Sequence, residues 1–121
     1  MLSASLLVLL AAPPTAAGAE SFAKAGQWEE LYLAFAAVQP KGYAPKDKKR
    51  IAAALSSGCL ALLPADAVMA YSLGEKSVAF ESQPGAVACT ARAAIKTDQR
   101  TSADEVLRAG LKRHPNDGDL S

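Results

Sequence analysis

The chain has 121 residues, half of them apolar, with a formal net charge of +1 and few aromatic side chains. That length allows one small domain, and the balance of apolar content and charge excludes a disordered tail or a bulk nucleic-acid binder. Alanine is abundant, which favours packed helices with close backbone approach over a β-sandwich.

Residues 1–19, MLSASLLVLLAAPPTAAGA, contain no charged side chain. Their apolar run, residues 6–12, is short of the roughly 20 residues a membrane span needs. Pro13 and Pro14 interrupt any helix, and Ala17, Gly18 and Ala19 place small residues where a signal peptidase reads. The expected boundaries are therefore a signal peptide over 1–19, a helical domain over 20–118 and a tail over 119–121. An uncleaved membrane-surface anchor and a first core helix are the alternatives for the leader. The favoured reading makes the protein exported, periplasmic or secreted.

Next in the chain, Trp28, Leu31, Tyr32, Phe35 and Val38 recur at helical spacing, which predicts a helix over 27–39 that Pro40 ends. Residues 41–50 read as a basic loop with Gly42 and Pro45, in which Asp47 caps the following helix. That helix runs to about Leu63 with Ile51, Leu55, Cys59 and Leu62 on one side. Pro64, Ala65 and Asp66 turn the chain into a helix over 67–81, apolar over a wide arc through Val68, Tyr71, Leu73, Val78 and Phe80. An alanine-rich helix after Pro84 and Gly85 ends near Lys96. Residues 97–100 form a turn. Ser102 then stands three residues before Glu105, the spacing of a capping box, and opens a last helix with Val106, Leu107, Gly110 and Leu111 on one face. Lys112, Arg113 and His114 gather at its C-terminal end, where the helix dipole favours positive charge.

The spacing of small residues resembles the tetratricopeptide repeat family, whose units are helix pairs of 34 residues. Ala91 stands at the small position of a first helix. Ala103, Leu107, Gly110, Leu111 and Pro115 follow the second-helix pattern and its closing proline. Moving 33 residues back from Ala91, Ala103 and Gly110 gives Gly58, Ala70 and Ser77, also small. In a first unit Gly26 matches the turn, and Leu31 and Phe35 the second helix. Ser57, Ala61, Thr90 and Ala94 stand where the family has large first-helix residues. The fold this resemblance implies is all-α, a short right-handed stack of antiparallel helix pairs (a tetratricopeptide-like α-solenoid).

Such stacks bind partners along the face of their first helices. The resemblance therefore implies a partner face of Leu55, Cys59, Leu62, Ala88, Arg92 and Lys96. Plain core is the competing reading for Leu55 and Leu62. Arg92 and Lys96 lie one helical turn apart and could jointly receive a carboxylate. Lys41, Lys46, Lys48, Lys49 and Arg50 form the most basic stretch, suited to an anionic lipid surface or an acidic partner, or simply solvated. Cys59 and Cys89 read either as buried free thiols or, in an exported chain, as a disulfide.

The chemistry-bearing residues are sparse. One histidine and two cysteines without CxxC or HExxH spacing do not make a metal site, and no glycine-rich phosphate loop is present. A cysteine nucleophile would need His114 beside it. Glu29–Glu30 and Asp104–Glu105 read as first-turn carboxylates of helices. The functional expectation is a non-catalytic module, without cofactor, that binds another protein or peptide. Self-association stays open, nucleic acid is not expected, and a membrane matters only if the leader is uncleaved. The alternative is a membrane-anchored envelope accessory protein whose basic stretch meets lipid.

Overall fold

The structure is a computed structural model, and it describes residues 13–116. Six helices and no strands make up the described residues: α1 (Ala16–Lys24), α2 (Trp28–Phe35), α3 (Pro45–Leu62), α4 (Ala67–Phe80), α5 (Pro84–Lys96) and α6 (Arg100–Arg113). None is long and apolar enough to cross a membrane.

Local chemistry sets most of the boundaries. The Thr15 hydroxyl accepts from the Gly18 N–H at 3.0 Å and starts α1. Gly26, at φ 69°, then reverses the chain into α2 without the steric cost a Cβ would bring. Helix α2 ends at Phe35 rather than at Gln39, because the chain turns through Val38 towards a second left-handed glycine, Gly42. Pro45 is the first residue of α3, where its missing N–H is not needed. Lys46, Lys48, Lys49 and Arg50 are therefore helical, which corrects the loop expected over 41–50. Asp47 lies in the first turn of α3 and is not its cap, since Ala44 holds that position. Asp66 does cap α4, accepting from the Met69 N–H at 3.1 Å. The capping box at Ser102 is not the start of α6. That helix opens at Arg100 behind Gln99, after Asp98 adopts φ 61° at the turn.

Helices pack on their chain neighbours and on the next but one. Helix α1 packs on α3 and α3 on α5, while α2 also touches α4, and α6 packs chiefly on α5, with Tyr71 of α4 reaching Ala103. The largest apolar cluster joins Ala16, Ala19, Leu31, Phe35, Ile51, Leu55, Leu73 and Phe80. The Phe35 and Phe80 rings meet edge to face with centroids 5.8 Å apart. Tyr43 adds a third ring at 5.7 Å from Phe80 and donates its hydroxyl to the Pro14 carbonyl at 2.6 Å. Burial raises the Tyr43 phenol above its ordinary value. The expected cleavage point after Ala19 falls inside α1, whose Ala16 and Ala19 are both buried in this cluster.

Cys59 on α3 and Cys89 on α5 are joined in a disulfide with Cα atoms 6.3 Å apart, so neither is a free thiol. Both are fully buried beside Ala70 and Ala93. Buried hydroxyls are also satisfied, Ser77 Oγ donating to the Ala52 carbonyl at 2.7 Å and Thr90 Oγ1 to the Ala86 carbonyl at 2.6 Å.

Small residues let these helices approach. A Cβ on Gly58 would come within 2.7 Å of Leu73 Cδ1 and 2.9 Å of Trp28 Cε3. A Cβ on Gly74 would run into Thr90 Oγ1 and lie 3.1 Å from Cys59 Sγ. Neither Thr90 nor the bridged cysteine is a flexible chain end that could swing aside. Gly74→Ala is accordingly expected to lower stability by about 1–3 kcal/mol, the usual cost of overpacking, despite alanine's better helix propensity. Chemical denaturation measures it, and an unchanged or raised midpoint would refute this account of the α4–α5 contact.

Candidate functional site

Helix α5 is buried along most of its length, from Ala86 through Ala91 and again at Ala93 and Ala94. Its exposed side carries Arg92, Ile95 and Lys96, at spacings of three and four that put them on one face. Opposite this face the turn that follows α3 supplies Leu63 and Pro64. Together these five residues line an open groove of about 380 Å³. Ile95, more than half exposed, also lines a second hollow of about 440 Å³ with Ala103, Asp104 and Leu107 of α6.

Among the described residues Arg92 and Lys96 form no ion pair, whereas Asp104 is held by Arg108 at 3.0 Å. The groove thus offers an apolar floor with two available cations on its rim. Tyr71 links α4 to this end of the molecule, packing against Ala91, Ala94 and Ala103 while its hydroxyl donates to Glu75 at 3.1 Å. Desolvation raises its phenol above the ordinary value.

Sequence-derived residues divide between this groove and the interior. Arg92 and Lys96 are on the groove. Leu55 and Cys59 have no solvent exposure and Ala88 is 8% exposed, so all three lie in the core. The physical reason is coverage, because α1, α4 and α5 all pack on α3. Leu62 is half-buried against the disulfide cluster. Three groove residues, Ile95, Leu63 and Pro64, were not among those expected. The signal for Ile95 was present in the sequence, since it shares the helical face of Arg92 and Lys96.

The basic residues of α3 and of the turn before it lie elsewhere. Lys41, Lys46 and Lys49 are exposed, and Lys48 is half-buried. Arg50 is engaged by Glu20 of α1, with contacts of 2.5 and 3.1 Å, and by Asp47 at 3.6 Å. The Arg50 hydrogen bond holds the Glu20 carboxyl below its ordinary value, and Glu20 in turn raises Arg50. This part of the basic stretch therefore clasps α1 to α3.

Among the described residues no group of three His, Cys, Asp or Glu side chains is placed to hold a metal ion. The disulfide consumes both cysteines, and the His114 ring sits 3.1 Å from the Ser82 carbonyl through Nε2. What the groove residues can do chemically is bind, by apolar contact and by attraction of negative charge. Compared with known protein families, curated proteins and solved structures, the chain matches none.

Proposed function

We propose that this chain is a non-catalytic interaction module, a short stack of tetratricopeptide-like helix pairs, and that it binds another protein or peptide at the groove around Ile95. The pairs would be α1–α2, α3–α4 and α5–α6. Two features support the repeat reading. First helices touch in series, α1 on α3 and α3 on α5, as stacked units require. The small residues 33 apart, Gly58 and Ala91, Ala70 and Ala103, Ser77 and Gly110, are all buried, so equivalent positions do equivalent packing.

The observation that carries the binding reading is Ile95 itself, an apolar side chain exposed on a largely buried helix and flanked by two cations without ion pairs. An apolar segment bearing acidic residues is the complementary partner, with the apolar part giving affinity and the cations orienting it. The Cys59–Cys89 bond supports an exported, periplasmic or secreted location, because disulfides persist in oxidising compartments.

A photo-crosslinking side chain at position 95 of the full-length protein tests this in the exporting cell, with exposed position 85 as control. A discrete adduct at 95, absent at 85 and weakened by Arg92→Glu with Lys96→Glu, is the expected result. Equal labelling from both positions, or no adduct at 95, would count against the groove.

A further inference from the structure

We infer that residues 13–19 belong to the folded, working protein, and that Ala16 and Ala19 form a helix-packing face and not part of a cleaved leader. The inference is independent of any partner at Ile95. Ala19 is fully buried and Ala16 is 5% exposed. They are three residues apart, and Phe22 and Ala23 continue the same side of α1 into the main apolar cluster with Ile51 and Leu55. Small side chains are what bring α1 close against α3.

Two polar ties fix the same segment, and a third holds the residue that follows it. Thr15 caps α1 through the Gly18 N–H. The Pro14 carbonyl accepts from Tyr43, whose ring leans on Phe80. Glu20 pairs with Arg50 of α3. A cut after Ala19 would remove the cap, the tyrosine's acceptor and both buried alanines. The remainder of α1, residues 20–24, is too short to persist as a helix by itself. It would also uncover the side of the Ile51 and Leu55 cluster that α1 closes. A cut ahead of Pro13 keeps all of α1, so the inference moves the boundary and leaves export untouched.

The two positions a signal peptidase would read differ in environment, which separates the readings experimentally. Ala17 is exposed, and Ala19 has no exposure at all. The full-length chain, Ala17→Lys and Ala19→Leu are each produced in an exporting bacterium, then compared by intact mass and thermal unfolding. Retention predicts a wild-type product that still carries residues 13–19. It predicts that Ala17→Lys leaves the cut alone and lowers the Tm by no more than a few degrees, the small cost of a positive charge at the N-terminal end of α1. Ala19→Leu should leave the cut alone and lower the Tm by about 5 °C or more through overpacking. A folded wild-type product beginning at Glu20 would overturn the inference. So would accumulation of a longer Ala17→Lys precursor, or an Ala19→Leu protein with unchanged Tm. Ala17→Lys decides the question alone if Ala19→Leu does not accumulate, because its exposed site tolerates the charge.

Discussion

Replacing Cys59 and Cys89 together by alanine is expected to lower stability by roughly 3–4 kcal/mol, the chain-entropy value for a closed loop of this size. The cysteines are 30 residues apart, and the loop they close contains the whole of α4. Breaking it frees the unfolded chain far more than it disturbs the native one. Both positions lie among Ala70 and Ala93, where two further alanines fit without strain. A domain of this size holds on the order of 5–15 kcal/mol in all, so the loss is a large share. Urea unfolding measures it as a lower midpoint, with a steeper slope because the uncrosslinked chain exposes more surface. A difference under about 1 kcal/mol would mean that the bond does not constrain the unfolded state. The prediction bears on location too. Protein made in a reducing compartment should behave like the double variant, and protein from an oxidising one should not.

Helical periodicity made the all-helical class legible, because Trp28, Leu31 and Phe35, or Ile51, Leu55 and Cys59, repeat on one face whatever surrounds them. Starts were harder to read. Pro45 looks like a loop residue until its place as first residue of α3 is known, since proline is excluded from helix interiors but favoured at their openings. Ser102 and Glu105 have capping spacing, yet α6 begins two residues before Ser102, with no side-chain cap from Gln99. The small residues at 16–19 satisfy a peptidase and a helix interface equally well. Only tertiary contact with α3 distinguishes the two, and a single sequence does not contain it. The groove was half legible for a related reason. Arg92 and Lys96 stand out on an alanine-rich helix, whereas an isoleucine is by default assigned to the core.

Phe35→Ala is expected to cost about 3–5 kcal/mol, towards the upper part of that range. Phe35 is fully buried at the end of α2, a helix of eight residues that could not persist in isolation. Only Leu31 and Phe35 of α2 are fully buried, so its place on the fold depends chiefly on these two anchors. The Phe35 ring meets Phe80, Phe80 meets Tyr43, and Tyr43 reaches the Pro14 carbonyl ahead of α1. Removing the first ring therefore loosens a chain of contacts that ties α2 and α4 to the N-terminal segment. Much of the cavity should persist, because Ala16, Ala19, Ala52 and Ala54 in the same cluster have no rotamers with which to fill it. Leu33→Ala on the same helix is the control. Leu33 is 65% exposed, and its loss should change stability by no more than about 0.5 kcal/mol. Denaturation of both variants, followed by hydrogen exchange, tests the argument. Fast exchange confined to α1 and α2 in Phe35→Ala, with the disulfide-bridged α3–α5 region still protected, would show that the first helix pair opens as a unit. A loss under about 2 kcal/mol would mean that α2 is held by something other than its two buried anchors.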